Sequence, residues 1–178
     1  SIRNSISWLP VKKRPRLKYV ETANEKTLYN SIVSTNRVVH ICGHGSRLGS
    51  IQSRKSKNET SMHFVSDLAE YLEEENLYLD LDCLILDSCF SATFLWRWHL
   101  SRLGGGPRTT IVIASIRKLK YTHAEEFFDS FYTYLLDSPL PKSRDAFQNR
   151  VRDAFNSAQV QFLLSHNYLP SRLRYLEI

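Results

Sequence analysis

The tightest constraint on the fold lies near the middle of the chain, in residues 82–91. The segment Cys83–Leu86 is apolar throughout, which is typical of a strand buried on both faces of a parallel sheet and is too short for an independent helix. Polar residues follow it immediately, namely Asp87, Ser88, Cys89 and Ser91. Because open α/β sheets bind ligands just beyond the carboxyl ends of their strands, Cys89 is well placed to act as a nucleophile.

The segment Arg37–Cys42 is predicted to form a second buried strand, and Gly43, His44 and Gly45 follow it. Glycine allows the backbone to turn sharply and leaves its N–H group uncovered by a side chain. If the two strands are parallel, their carboxyl ends meet at one edge of the sheet. The imidazole of His44 and the thiol of Cys89 are then expected to lie side by side.

Strands and helices alternate along most of the chain. A third buried strand is predicted at 109–115 and an edge strand at 172–177, with a long loop or an exposed hairpin over 46–61. The spacing of apolar residues predicts covering helices at 23–34, 62–76, 93–103, 122–136 and 144–158. Thr122 is predicted to cap the fourth of these helices, with Glu125 as its capping-box partner. The alternation predicts an α/β fold, namely a three-layer α/β/α sandwich with a mainly parallel central sheet.

The length of 178 residues suits one domain with a substantial core. No apolar run approaches the length of a membrane span, and no secretory signal is present. The three cysteines show no disulfide pattern, which favours a reducing cytoplasm. Because the chain begins with Ser1 rather than Met, we expect it to be either a processed product or a domain of a larger, regulated protein.

The net charge of +6 belongs to one end of the chain. Six basic residues and no acidic residue fall among the first twenty, and the rest of the chain carries equal numbers of both. We therefore divide the chain into a basic N-terminal arm or edge strand at 1–16 and a single domain at 17–178. A solvated linker explains the arm better than a nucleic-acid contact, so no nucleic-acid partner and no membrane contact are expected.

The pairing of His44 with Cys89 suits nucleophilic catalysis. A thiol is mostly protonated at pH 7, and a neighbouring imidazole activates it and later protonates the leaving amine. The backbone N–H groups of Gly45 and Cys89 are the natural donors to the oxyanion. A histidine about 45 residues upstream of the cysteine also matches the order and separation found in caspases.

These motifs resemble those of the caspase-like cysteine peptidase superfamily. The segments His40–Gly45 and Asp87–Ser91 are similar to the Gly-His-Gly and Asp-Ser-Cys-x-Ser-Gly motifs of metacaspases and bacterial CHAT-domain peptidases. A looser similarity extends over residues 17–155. The resemblance implies a caspase-like fold and a catalytic dyad of His44 and Cys89.

The resemblance also implies a substrate preference. In metacaspases the acid two residues before the nucleophile lines the S1 pocket and favours Arg or Lys at P1, and Asp87 matches that position. Its carboxylate would pair with a guanidinium group in a partly dry pocket. The caspase Gln-Ala-Cys-x-Gly signature is absent, so a preference for aspartate is not supported. Ala92 stands where the family usually has glycine, and we expect it to tighten the turn after the nucleophile.

A metal site is the chemical alternative. His40, Cys42 and His44 would share one face if the strand continued, and Cys89 could complete a tetrahedral set. Alternate strand residues converge poorly on one ion, and no C-x-x-C or H-x-x-x-H spacing is present, so no metal is expected. Cys42 and Cys83 are expected in the core instead.

The sequence therefore predicts a cysteine endopeptidase that cleaves protein or peptide substrates after a basic residue and requires no cofactor. A regulatory or sensor domain or partner is expected, and calcium, proteolysis and partner binding all remain open as the trigger. The alternative function is that of a catalytically silent caspase-like scaffold, which acts as a protein-interaction adaptor.

Overall fold

The computed structural model of this protein describes residues 25–33, 37–56, 59–103, 109–118, 120–167 and 173–178. The predicted basic arm, residues 1–16, lies outside these ranges. The described strands are β1 (Val38–Cys42), β2 (His44–Gly45), β3 (Ser50–Ser56), β4 (Glu59–Phe64), β5 (Cys83–Asp87), β6 (Ile111–Ser115) and β7 (Leu173–Glu177). The described helices are α1 (Glu25–Ile32), α2 (Val65–Glu74), α3 (Phe94–Leu103), α4 (Tyr121–Leu135) and α5 (Arg144–His166).

Four strands form the main sheet, in the order β1-β5-β6-β7. β5 runs parallel to both β1 and β6, whereas β7 pairs with β6 in the antiparallel direction. The described residues therefore form a mixed α/β fold with a mostly parallel sheet of four strands and with five helices. This confirms the predicted fold class at that level, and β7 confirms the edge strand predicted at 172–177.

The apolar character of β5 reflects burial of both of its faces. Leu84 and Leu86 belong to a hydrophobic cluster to which α1, α2 and α3 also contribute. Cys83 and Ile85 alternate with them, so they lie on the opposite face, and both are fully buried as well. A strand covered on both faces needs the continuous apolar run that the sequence contains.

An ion pair aligns the beginnings of β1 and β5. Arg37 Nε donates to Asp82 Oδ2 at 2.5 Å. The carbonyl oxygen of Arg37 accepts hydrogen bonds from the N–H groups of Asp82 and Cys83, at 3.0 and 2.9 Å. Asp82 is only 7% exposed, so its charge requires such partners. These contacts support the register in which Cys42 lies opposite Asp87 at the other end of the strands.

A smaller sheet with the order β2-β3-β4 follows β1 along the chain. β3 and β4 pair in the antiparallel direction as a hairpin, which is one of the two structures predicted for 46–61. The helix predicted from residue 62 begins instead at Val65. The reason is that Glu59–Phe64 pair with β3. The backbone hydrogen bonds of this pairing stabilise an extended conformation, although the spacing of the apolar side chains from residue 62 onward fits a helix.

Helix α4 belongs to a second compact unit of the chain, whose described residues are 120–167. Its predicted apolar stripe is buried, at Ala124, Phe127, Phe128, Phe131 and Leu135. The predicted Thr122 cap is wrong, because the helix begins at Tyr121. Its N-cap residue, Lys120, makes no side-chain capping hydrogen bond.

Helix α5 lies in the same unit and packs against α4. The hydroxyl of Ser143 caps it by accepting a hydrogen bond from the N–H group of Ala146, and Asn167 ends it in a left-handed conformation. The predicted end at 158 is wrong, because Phe162 continues the buried face and the helix extends to His166. α5 has 23 residues, yet neither it nor any other described helix is long and apolar enough to cross a membrane.

A buried serine organises the turn after β5. Ser91 is fully buried, and its Oγ lies 3.0 Å from the carbonyl oxygens of both Leu86 and Ser88. The same Oγ accepts a hydrogen bond from the N–H group of Ser115 at 2.9 Å. The N–H group of Ala92 in turn donates to the Ser115 carbonyl oxygen at 2.8 Å. One hydroxyl thus joins the carboxyl ends of β5 and β6.

We expect Ser91→Ala to lower the free energy of unfolding by about 1–3 kcal/mol, because buried backbone groups lose their partner. The matched control is Ser88→Ala in the same turn. Ser88 is 2% exposed, and its hydroxyl has no hydrogen-bond partner in the part of the chain that the structure describes. Its removal should therefore be neutral or stabilising. Urea unfolding followed by circular dichroism measures both variants, and equal losses of stability would contradict the bridging role of Ser91.

Candidate active site

The two predicted catalytic residues lie just beyond the ends of neighbouring strands. β1 ends at Cys42, and His44 begins β2, where it pairs with Gln52 of β3. Cys89 lies in the turn that follows β5. His44 is exposed and Cys89 is partly buried, so neither side chain is sealed in the core.

Gly45 brings these two segments into direct contact. A Cβ atom at position 45 would lie 2.0 Å from the carbonyl oxygen of Cys89 and 3.0 Å from its amide nitrogen. Only a residue without a side chain allows this approach. The two residues predicted to form the oxyanion hole therefore have adjacent backbones, and His44 immediately precedes the contact.

Two hydrogen bonds flank this contact. On one side, the N–H group of Gly43 donates to the carbonyl oxygen of Asp87 at 3.2 Å. On the other side, the indole Nε1 of Trp96 donates to the carbonyl oxygen of Ser46 at 2.8 Å. Trp96 is fully buried on α3, so this second bond ties the chain after β2 to the core. The segment that carries His44 is thereby anchored to the segment that carries Cys89.

The residue after Cys89 has an unusual backbone conformation. Phe90 has a φ of 62°, in the left-handed region that bulky residues rarely adopt. Its N–H group donates to the carbonyl oxygen of Arg117 at 3.2 Å, and the guanidinium of Arg47 lies 4.9 Å from the centre of its ring. Such strain persists only where surrounding contacts hold it, and it clusters at functional sites. Ala92 does not have a positive φ, so this turn does not require glycine at that position.

Asp87, the predicted S1 residue, ends β5 and is partly buried. Its Oδ2 lies 3.8 Å from Nε2 of His40. The thiol of Cys42 forms a side-chain hydrogen bond with the same carboxylate. The carboxylate thus has two polar neighbours on β1, and its role in substrate binding stays a prediction.

The prediction that Cys42 lies in the core is wrong, whereas Cys83 is fully buried as predicted. Cys42 is exposed because it ends β1 at the carboxyl edge of the sheet. Partial burial of its sulfur, together with the charge of Asp87 and the hydrogen bond to it, raises the pKa of the Cys42 thiol to about 12. Burial, reinforced by the charge of Asp82, also raises the pKa of Cys83. Both thiols are therefore protonated at neutral pH.

The structure brings together only two of the four residues considered above as metal ligands. His40 and Cys42 lie together, as the strand spacing predicts, but the third group beside them is Asp87 rather than His44 or Cys89. The reason is the pairing of Cys42 with Asp87 across β1 and β5. Spacing within one segment cannot reveal a partner on another strand.

Two residues that support the site, Trp96 and Arg47, were missed by the sequence reasoning. Trp96 shares the buried face of α3 with Leu100, and their separation of four residues was a usable signal. Arg47 carried no such signal, because its contact with Phe90 depends on the unusual turn.

The site thus consists of two segments that follow β1 and β5 and are held together at the carboxyl edge of the main sheet, with His44 on one and Cys89 on the other. No protein-family model matches the chain, and no curated protein matches it either. Any proposal about its function therefore rests on the arrangement of its own residues.

At pH 8 we expect iodoacetamide to alkylate Cys89 well before Cys42 or Cys83 in the folded protein. The reagent attacks thiolates, and a pKa of about 12 leaves only about 10⁻⁴ of the Cys42 thiols ionised at that pH. Full burial shields Cys83 from the reagent in addition. Mass spectrometry of peptides from timed samples measures the three rates.

The control for this experiment is the protein denatured in guanidinium, in which all three cysteines should react at similar rates. Labelling of Cys42 as fast as Cys89 in the folded protein would contradict the assignment of a protonated Cys42 thiol.

Proposed function

We propose that this chain is a cysteine endopeptidase of the caspase-like type, in which His44 and Cys89 form the catalytic dyad. The observation that carries the proposal is the contact between Gly45 and the backbone of Cys89. This contact joins segments that follow two parallel, paired strands. The motifs that resemble those of metacaspases and CHAT-domain peptidases are thereby adjacent, as a dyad requires.

In the proposed reaction His44 accepts the proton of the Cys89 thiol, and the thiolate attacks the carbonyl carbon of the scissile peptide bond. The N–H groups of Gly45 and Cys89 donate hydrogen bonds to the resulting oxyanion. When this intermediate collapses, the C–N bond breaks and His44 gives its proton to the leaving amine. Water then hydrolyses the thioester, which releases the carboxylic acid and restores the thiol. These steps require no cofactor.

Asp87 provides the proposed preference for Arg or Lys at P1. It lies two residues before the nucleophile, is partly buried, and ends a strand at the edge where the dyad lies. A charge-assisted hydrogen bond to a guanidinium or ammonium group is strong in such surroundings. A basic P1 side chain would share the carboxylate with Cys42 and His40, which already contact it.

The proposal also covers the layering of the fold, the domain boundaries, the cellular compartment and the partners. We propose a three-layer α/β/α domain of caspase-like type over residues 17–178, with 1–16 as a separate basic arm. The mostly parallel sheet of four strands and the five helices support this architecture at the level of the fold class. We propose a cytoplasmic protein that acts on proteins or peptides under a regulatory or sensor domain, without nucleic-acid or membrane contact.

The second candidate function is that of a catalytically silent adaptor with the same scaffold. Exposed apolar side chains favour it, because exposed aromatic residues are enriched in protein interfaces. Phe94 and Trp98 on α3 are 80% and 52% exposed, and Leu48 after β2 is 71% exposed. The presence of both His44 and Cys89 favours the peptidase.

The peptidase proposal predicts that an arginine chloromethyl ketone modifies Cys89 and no other cysteine, whereas the aspartate analogue does not. Intact-mass and peptide mass spectrometry locate the adduct. Cys89→Ala should remove the adduct and abolish cleavage of peptides with a basic P1. His44→Ala should slow cleavage by about 10²–10⁴-fold, because it removes the general base.

Circular dichroism of each variant is the control for folding. A folded protein without any adduct on Cys89 would contradict the peptidase and favour the adaptor.

Asp87→Asn should lower kcat/KM for substrates with Arg or Lys at P1 by about 10–100-fold, because a charged hydrogen bond contributes about 1.5–3 kcal/mol. Substrates with a neutral P1 residue should be cleaved at an unchanged rate. The matched control is Asp80→Asn, which removes an exposed carboxylate ahead of β5. An unchanged P1 profile in Asp87→Asn would exclude Asp87 from the S1 pocket.

A further inference from the structure

We propose that His40, Cys42 and Asp87 form a binding site for a divalent transition-metal ion, with Zn²⁺ as the best match. The site lies beside the proposed dyad and shares neither His44 nor Cys89 with it. It offers one imidazole, one thiol and one carboxylate, all on β1 and β5. The ligand atoms of the three residues lie within 4.8 Å of one another.

Strand pairing puts the three side chains on one face of the sheet. His40 and Cys42 are two residues apart on β1, so alternation directs both to the same face. Asp87 is the parallel partner of Cys42 on β5, and paired residues of neighbouring strands share a face. Leu84 and Leu86 occupy the other face, with α1, α2 and α3. Because β1 and β5 are hydrogen-bonded to each other, the backbone positions of the ligands are set before an ion binds.

The distances fit a small ion. Nε2 of His40 and Oδ2 of Asp87 lie 3.8 Å apart. A nitrogen and an oxygen ligand of a tetrahedral zinc ion, with bonds of about 2.0–2.2 Å, lie about 3.3–3.6 Å apart. Side-chain rotations that move the ligand atoms by about 1 Å would bring all three within bonding distance. The Cys42 thiol would lose its proton to solvent as the sulfur–metal bond forms.

The ligand types select the class of ion. A thiolate with an imidazole favours Zn²⁺ and related transition metals, whereas Mg²⁺ and Ca²⁺ prefer oxygen ligands alone. Three protein ligands leave one tetrahedral position open. Because Cys42 is exposed at the edge of the sheet, water can occupy that position.

Metal binding would control the proposed peptidase, a consequence that rests on the proposed function. A dication bound to Asp87 neutralises the carboxylate that a basic P1 side chain would use. Zinc would therefore inhibit cleavage after Arg or Lys by occupying the S1 carboxylate, with the Cys89 thiol left unligated.

The site is tested on the full chain, with its thiols reduced, by titration with Co²⁺ as a spectroscopic substitute for zinc. One equivalent of Co²⁺ should produce a thiolate-to-cobalt charge-transfer band and the visible bands of a tetrahedral ion. Zn²⁺ should displace it and Mg²⁺ should not. Cys42→Ser should abolish the charge-transfer band, and His40→Gln should weaken Co²⁺ binding by about tenfold or more.

The matched controls are Cys89→Ser and His44→Gln, which remove the same two ligand types from the neighbouring dyad. Both should keep the band and the affinity of the unaltered protein. Loss of the band in Cys89→Ser, its persistence in Cys42→Ser, or its absence from the unaltered protein would each overturn the site.

Circular dichroism establishes the folding of each variant. If Cys42→Ser or His40→Gln does not fold, NMR spectra of the histidine imidazoles in the unaltered protein test whether zinc binds at the proposed site. Zinc should then shift the resonances of His40, and a shift confined to His44 would overturn the proposal. None of these measurements depends on peptidase activity, so failure of the metal site and failure of the proposed function are distinguishable.

Discussion

The pairing of β1 with β5 is the interaction on which the rest of the structure depends. Its register places Cys42 opposite Asp87 and so determines which residues follow each strand at the same edge of the sheet. A slip of one residue would move every side chain of β1 to the other face. Beyond the strands, the same alignment brings Gly45 against Cys89. The arrangement of the candidate active site therefore depends on the register of these two strands.

The two thiols at this edge of the sheet have different surroundings. Cys42 faces the carboxylate of Asp87 across the paired strands, and burial of its sulfur, reinforced by the negative charge of Asp87, raises the pKa of its thiol so that it holds its proton at neutral pH. Cys89 lies two residues beyond Asp87, in a turn next to the segment of His44. One thiol thus lies in the proposed metal site, and the other is the proposed nucleophile.

Several contacts fix the conformation of the turn that carries Cys89. Ser91 bonds to backbone groups on both β5 and β6, and Phe90 is held in a strained conformation between Arg117 and Arg47. A site held on rigid elements positions its reacting atoms more accurately than one on a free loop. The contacts that stabilise this edge of the sheet therefore also support the proposed chemistry.

Local patterns in the sequence determined the strand β5, the edge strand β7 and the buried stripe of α4, because each depends on the periodicity of a single segment. The proposed dyad of His44 and Cys89 came from motifs of the same local kind. Tertiary structure alone decided that residues 59–64 pair with β3, that Cys42 is exposed, and that Asp87 faces β1. Each of these outcomes depends on hydrogen bonds or contacts with a different segment, and the order of residues within one segment does not encode such partners.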